Sequence, residues 1–179
     1  MLTNYILIPF VAALAAYILN KSNKKAGSVI TALVSGYLLF RLTVLYGSWE
    51  LTQSLKLSLV GYEIEFLLGV NPLSWLFAVM TAAISILIAL FSIKSQENFK
   101  FSSVFNLNFL IIIGSMIGIV FARDFLTLFI FWELMTWTSF YLISVGKKKM
   151  PGRAAYRYLI LSAGAAYAFL MASIFIFQQ

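Results

Sequence analysis

The feature that most constrains this chain is a series of long apolar segments. A helix needs about 20 consecutive apolar residues to cross the bilayer's hydrocarbon core, which is about 30 Å thick. Six such segments follow one another in this sequence, at residues 2–19, 28–46, 72–93, 104–121, 125–145 and 154–177. Hydrophobic residues make up 62% of the chain and charged residues 11%, which is typical of integral membrane proteins. The sequence therefore predicts an all-α, multi-pass membrane protein with six transmembrane helices in a single domain, residues 1–179.

Local patterns indicate how several segments begin and connect. No basic residue precedes the first segment and a second follows almost at once, so we interpret it as a permanent helix and not as a secretory signal. Asn71 followed by Pro72 is typical of a helix start. Little more than Ala122, Arg123 and Asp124 joins the fourth and fifth segments. We therefore expect a tight antiparallel pair, with Arg123 and Asp124 forming a turn and a helix cap.

Basic residues concentrate on one side of the predicted helices. They are Lys21, Lys24, Lys25, Lys94, Lys100, Lys147, Lys148, Lys149 and Arg153. The opposite side carries Lys56 and Arg123, beside Glu50, Glu63, Glu65 and Asp124. By the positive-inside rule the first group faces the cytoplasm, so both termini are predicted to lie on the outer side of the cell membrane. Residues 54–69 alternate apolar and polar side chains around Gly61, which predicts a short hairpin on the outer face.

Composition excludes several classes of function. Cysteine and histidine are both absent, which removes the usual ligands of haem, iron–sulfur clusters and most zinc or copper sites, together with thiol and imidazole catalysis. We expect no cofactor and no metal site, so any redox chemistry belongs to a partner. The basic residues that give the chain its net charge of +7 lie between the apolar segments. There they set the orientation of the helices in the membrane and do not indicate nucleic-acid binding.

Glu133 is the candidate functional residue because it lies in the middle of the fifth segment. A carboxylate at the centre of a spanning helix costs about 3 kcal/mol on insertion scales, so it usually faces a wet cavity, pairs with a cation or is protonated. We predict a role in ion translocation. The structural alternative is a glutamate that only hydrogen-bonds a neighbouring helix, through Thr136 one turn on.

The candidate cation is Arg157, one turn into the sixth segment. At about 1.5 Å of rise per residue, Arg157 lies about 7 Å and Glu133 about 16 Å below the cytoplasmic edge, a gap that an arginine and one or two waters could span. The alternative is an arginine that extends back to the lipid headgroups. We expect the same of Arg41 on the outer side and give it little functional weight.

Small residues repeat every fourth position in two helices, as Gly114, Gly118 and Ala122 and as Gly164, Ala168 and Ala172. Such rows let helix backbones approach closely in lipid. We interpret Gly114, Gly118, Gly164 and Ala168 as helix-packing positions, within one bundle or against another subunit.

Three segments carry a resemblance to a known family. "ARDFLTLFIFWELMTWTSFYLISV", "GRAAYRYLILSAGAAYAFLMASIFIF" and "NPLSWLFAVMTAAISILIALFSI" resemble the fifth, sixth and third helices of the antiporter-like subunits shared by respiratory complex I, Mrp-type sodium/proton antiporters and membrane-bound hydrogenases. The resemblance implies that Glu133 corresponds to the essential glutamate of the family. It also implies that Arg157 stands where many members have a lysine, and arginine keeps its charge but cannot release a proton.

The resemblance also implies what is missing. Family members have about fourteen helices, including two inverted repeats, each with a broken helix whose lysine pairs with the glutamate. This sequence matches two peripheral helices and the hairpin over residues 1–70, and the third to sixth helices over residues 71–179. We therefore expect a truncated antiporter-like fold. Its expected partners are the lipid bilayer and other membrane subunits, including a full-length antiporter-like chain.

Three functional interpretations remain open. The first is a truncated or split antiporter-like subunit of a multisubunit membrane respiratory complex, of the membrane-bound hydrogenase, complex I or Mrp type, that contributes part of a proton or sodium translocation module. The second is a structural subunit that bridges or assembles a complex and has no ion pathway. The third is a small independent transporter built by self-association. Catalysis by this chain alone is not expected, because it has no nucleophile–base pair, metal cluster or phosphate loop.

Overall fold

The computed structural model describes residues 1–22, 25–59, 62–95, 102–145 and 151–177. These ranges form, in chain order, α1 (Thr3–Ser22), α2 (Ala26–Val44), β1 (Thr52–Leu59), β2 (Tyr62–Gly69), α3 (Pro72–Ser95), α4 (Ser102–Phe121), α5 (Phe125–Ser144) and α6 (Pro151–Phe177). All six helices are long and apolar enough to cross a membrane, and their bounds lie within three residues of the predicted segments. The prediction of an all-α, multi-pass membrane protein is confirmed. The predicted turn at Gly61 and the basic residues Lys24, Lys100, Lys147, Lys148 and Lys149 lie outside the described residues.

The fourth helix lies at the centre of the fold. It packs along α1 and α5 and also contacts α2 and α3. Its side chains Leu110, Ile113 and Phe121 are almost fully buried, as expected for a helix that is hydrophobic all round and enclosed by others. Tyr5 of α1 meets Phe121 edge to face, with ring centroids 6.2 Å apart. The position of α5 is therefore set by its packing against this central helix.

Two glycines of α4 allow its neighbours to approach closely. A Cβ on Gly114 would lie 3.2 Å from the ring of Phe10 and 3.3 Å from the carbonyl oxygen of Ile6, both in α1. A Cβ on Gly118 would lie 2.5 Å from the ring of Phe131 in α5. Since carbon atoms prefer separations of about 3.5–4.0 Å, the ring of Phe131 fits against α4 only because residue 118 has no side chain.

A buried cluster of polar side chains joins α1, α2 and α4. The amide nitrogen Nδ2 of Asn20 donates to Oγ of Ser102 at 2.9 Å, and its Oδ1 accepts the backbone N–H of Gly27 at 3.1 Å. In turn, Nδ2 of Asn106 donates to the carbonyl oxygen of Ser102 at 3.0 Å. Nδ2 of Asn106 also donates to Oγ of Ser28 in α2 at 3.3 Å. These amides satisfy polar groups from three helices at once, so they fix the relative position of the helix ends.

The two strands form an antiparallel hairpin attached to the start of α5. Their register runs from Thr52 opposite Gly69 to Leu59 opposite Tyr62. The backbone N–H of Arg123 donates to the carbonyl oxygen of Leu67 at 2.9 Å, and the N–H of Leu67 donates to Oδ2 of Asp124 at 2.9 Å. The predicted hairpin is therefore present, and its location on the outer face stays a prediction.

The predicted helix starts are confirmed at two positions. Oδ1 of Asn71 accepts the backbone N–H of Ser74 at 2.6 Å, so Asn71 caps α3. Asp124 has extended backbone angles, φ −132° and ψ 159°, and its Oδ1 accepts the backbone N–H of Thr127 at 2.7 Å. Short polar side chains at this position satisfy N–H groups that the first turn leaves unpaired. The cap at Asp124 also fixes where α5 begins and hence the distance of every residue of α5 from that end.

Candidate functional site

Glu133 lies deep within α5. It is the ninth residue of that helix, which places it about 12 Å from the start at 1.5 Å of rise per residue. The side chain is half-buried. Its Oε2 accepts a hydrogen bond from Nε1 of Trp137 at 3.1 Å. Residues four apart lie on the same helix face, and a helical side chain points back toward the preceding turn, so this contact follows from the sequence spacing.

The second carboxylate oxygen is unpartnered. Oε1 of Glu133 is buried and has no hydrogen-bond partner among the described residues, and the same is true of Oγ1 of Thr136. Thr136 is 1% exposed and lies one turn after Glu133. Glu133 and Thr136 therefore form no hydrogen bond with each other. Two polar atoms with unmet hydrogen-bonding capacity lie within one turn of α5, at bilayer depth.

Aromatic rings surround this part of α5 and join it to α6. Trp132 packs against Phe169 with centroids 5.8 Å apart, and Phe140 lies 6.0 Å from Tyr156. Trp137 meets Phe140 edge to face at 6.3 Å and 88°. Such pairs add about 0.5–1.5 kcal/mol each to the area they bury. The rings hold the two helices side by side along the length that contains Glu133.

Arg157 lies on the opposite face of α6 from the one that meets α5. The buried residues of α6 are Ala155, Ala166 and Ser173, and Arg157 follows Ala155 by two positions, which is about 200° around a helix. Arg157 is exposed, whereas Oε1 of Glu133 is buried without a partner. The structure therefore does not bring Arg157 and Glu133 together, because the phase of the helix directs the guanidinium away from α5.

The predicted small-residue positions divide into two groups. Gly114 and Gly118 lie against α1 and α5, as described above. Gly164 and Ala168 are exposed, and a Cβ on Gly164 would have no atom within 4 Å. They share the exposed face of α6 with Arg157, so a packing role for this pair requires a surface outside the chain.

Arg41 occupies a different part of the molecule. Its guanidinium carbon lies 5.6 Å from the centroid of the Tyr5 ring, and the Tyr5 hydroxyl donates to the Arg41 carbonyl oxygen at 3.0 Å. This arrangement joins α1 and α2 and has no connection with Glu133. No group of three or more acidic residues suited to a metal ion occurs in the ranges that the structure describes.

Comparison with curated proteins identifies relatives in membrane complexes. No family model matches the chain. Over 184 aligned positions the chain is 28% identical to NADH-quinone oxidoreductase subunit M of Escherichia coli K12, covering 93% of this chain and 36% of that subunit. Over 85 residues it is 33% identical to Na(+)/H(+) antiporter subunit A1 of Staphylococcus haemolyticus, covering 48% of this chain and 11% of that protein. The chain therefore spans about a third of subunit M, at 36% of its length.

Solved structures show the same fold. A chain of the membrane-bound sulfane sulfur reductase, an archaeal respiratory membrane complex, superposes with a TM-score of 0.74 at 27% identity over 94% of this chain and 26% of that chain. A chain of the Mrp complex from Dietzia sp. DQ12-45-1b superposes with a TM-score of 0.75 at 20% identity, over 96% and 19% of the two chains. The predicted resemblance is thus confirmed: the chain is similar in sequence to subunit M and to antiporter subunit A1, and similar in fold to chains of these two membrane complexes.

Proposed function

We propose that this chain contributes part of a proton or sodium translocation module in a multisubunit membrane complex, with Glu133 as its ion-carrying residue. The observation that carries the proposal is the unpartnered Oε1 of Glu133, which is buried in a transmembrane helix. Placing a charged carboxylate at this depth in the membrane costs about 3 kcal/mol of free energy. One indole N–H engages only one of its oxygens. Water, a proton or a cation must satisfy the other.

The module extends beyond this chain. The chain corresponds to 36% of its relative subunit M, and Arg157 faces away from Glu133. Ion transfer across a membrane needs a continuous series of titratable or hydrated sites. We propose that the chain acts as a truncated or split antiporter-like subunit, and that helices of other membrane subunits, including a full-length antiporter-like chain, complete the pathway.

The proposed orientation follows from the charges at the helix ends. Lys25 stands at the start of α2, Lys94 at the end of α3 and Arg153 in the first turn of α6. Because successive spans of a multi-pass protein alternate in direction, we assign these ends to one side of the membrane. The positive-inside rule assigns this side to the cytoplasm. Both termini and the hairpin then face the outside.

The test is a Glu133→Gln variant in the assembled complex. Glutamine keeps the shape and the acceptor for Trp137 but cannot ionise, so ion-coupled activity should fall while assembly is unchanged. Glu65→Gln, in the exposed hairpin, removes the same charge elsewhere and serves as the matched control. Ion flux would be measured in native membrane vesicles, together with subunit recovery. Normal coupling in Glu133→Gln would refute the transport role.

The exposed face of α6 favours a second candidate, a structural subunit that bridges neighbouring chains. Gly164 and Ala168 on that face are exposed, and a Cβ on Gly164 would meet no described atom within 4 Å. Small residues are typical of helix interfaces in lipid. A Gly164→Leu substitution should then dissociate the subunit from its complex, measured by co-purification. Gly36→Leu is the matched control, because a Cβ on Gly36 also meets nothing within 4 Å. Glu133→Gln would be silent under this candidate.

A further inference from the structure

We infer that Trp137 is a positioning residue for Glu133, one that engages Oε2 and leaves Oε1 as the oxygen available to the transported ion. The inference rests on the proposed function of Glu133. It starts from an asymmetry: Oε2 accepts the indole Nε1–H at 3.1 Å, whereas Oε1 is buried without a partner among the described residues. A carboxylate has two equivalent oxygens, and this single donor distinguishes them.

The chemistry of indole suits this role. Its N–H donates and cannot accept, and it does not titrate, so it stays a donor through a cycle in which the carboxyl gains and loses a proton. Trp137 is 55% exposed, on a helix that crosses the membrane. Hydrocarbon offers an N–H no acceptor, and an unpaired donor there is costly. Bonding to Glu133 therefore stabilises both side chains.

The indole is also held in place. The ring of Phe140 meets it edge to face at 6.3 Å and 88°, and Phe140 in turn lies 6.0 Å from Tyr156 of α6. The side chain that fixes Glu133 is thus restrained by Phe140, which itself packs against the neighbouring helix. A donor that is oriented before the ion arrives needs no reorganisation at the moment of transfer.

Other polar groups near α5 do not replace this contact. The described part of α4 carries no charged side chain. In α6 the ionisable residues are Arg153, Tyr156, Arg157, Tyr158 and Tyr167, and in β2 the described ionisable side chain is that of Glu65. None of these donates a hydrogen bond to Oε1 of Glu133.

The first experiment measures ion-coupled activity of the assembled complex in a double-mutant cycle. Trp137→Phe keeps a ring but removes the N–H, and should lower activity about tenfold, the effect of losing a hydrogen bond to a charged group. Trp137→Gln supplies an amide N–H and should restore most of it. In a Glu133→Asp background, which keeps the carboxylate but draws it one methylene back from the indole, Trp137→Phe should cause little further loss. Equal losses in both backgrounds would indicate a packing role only and would overturn the inference.

The matched control is Trp75→Phe. Nε1 of Trp75 donates to the carbonyl oxygen of Leu42 at 2.7 Å, between α3 and α2. The same chemical change is therefore made away from Glu133, and activity should stay unchanged. A tenfold loss in Trp75→Phe as well would mean that the activity responds to any lost indole hydrogen bond, and would remove the support for a specific role of Trp137.

A second experiment tests the hydrogen bond independently of transport. The full chain, with ¹⁵N-labelled tryptophan, would be studied in lipid bilayers by solid-state NMR, and the indole signal of Trp137 would be assigned by its absence in Trp137→Phe. In Glu133→Leu, which removes both acceptor oxygens, this signal should move upfield while that of Trp75 stays. An unmoved signal would overturn the inference. A signal that moves, in a protein whose Glu133→Gln variant transports normally, would establish the bond and refute the proposed function.

Discussion

Substitution of Gly118 by alanine tests whether close approach of α4 and α5 positions the segment that carries Glu133. The added Cβ would lie 2.5 Å from Cγ and 2.6 Å from Cδ1 and Cδ2 of Phe131. These separations are about 1 Å shorter than carbon atoms tolerate in contact, and three ring atoms are involved at once. Relief therefore requires the whole ring, or α5 itself, to shift.

The magnitude follows from two opposing effects. Overpacking of a close-packed region costs about 1–3 kcal/mol, and the number of overlapping ring atoms favours the upper end. Replacing glycine by alanine inside a helix returns about 1 kcal/mol. Gly118→Ala should therefore lower the free energy of unfolding by about 2 kcal/mol. At Gly164, where a Cβ meets nothing within 4 Å, the same change should stabilise the chain or leave it unaffected.

The assay is reversible unfolding in mixed detergent micelles by titration with sodium dodecyl sulfate, followed by tryptophan fluorescence. Gly114→Ala provides an intermediate case, because its Cβ would meet Phe10 at 3.2 Å and would require only a small adjustment. The expected order of stability is Gly164→Ala, then Gly114→Ala, then Gly118→Ala. Equal stability of Gly118→Ala and Gly164→Ala would refute the reasoning, since it would mean that the Phe131 ring moves aside freely.

Two further predictions concern polar groups. Asn106→Ala should lower the free energy of unfolding by about 1–3 kcal/mol, because it removes the amide that hydrogen-bonds Ser28 of α2. Asn108→Ala should cost less, since among the described residues Nδ2 of Asn108 bonds a carbonyl of its own helix, at 2.8 Å. The same detergent titration measures both, and equal losses would contradict the interhelical role of Asn106. Asp124→Ala removes the acceptor for the backbone N–H groups of Thr127 and Leu67 and should lower the free energy of unfolding by about 1–2 kcal/mol. Asp124→Asn keeps an acceptor oxygen and should cost less. Hydrogen exchange at these two N–H groups measures the loss of the bonds, and unchanged protection in Asp124→Ala would disprove the cap.

The features that could be predicted from the sequence are local ones. Segment length and hydropathy fix a spanning helix without reference to its neighbours, which is why all six were found. The caps at Asn71 and Asp124 follow from side chains that bond backbone groups three residues away. The depth of Glu133 follows in the same way, because it depends only on its place along α5.

The features that could not be predicted depend on which face each helix turns to its neighbour. Depth alone makes Arg157 the candidate cation for Glu133, with one or two waters between them, but a position two residues from Ala155 points away from α5. The cluster around Asn20 and Asn106 joins residues more than 80 positions apart, and no pattern in the sequence pairs them. Trp137 was missed although its signal was local: a donor four residues after a buried carboxylate lies on the same face of a helix.

The attachment of the hairpin to Asp124 has a mechanical consequence. One carboxylate accepts hydrogen bonds both from the first turn of α5 and from the second strand, and the backbone of Arg123 adds a further bond to that strand. The hairpin therefore cannot be displaced without either breaking these bonds or carrying the start of α5 with it. Because a helix transmits an axial shift along its length, a movement of the hairpin that preserves these bonds also changes the depth of Glu133 in the bilayer.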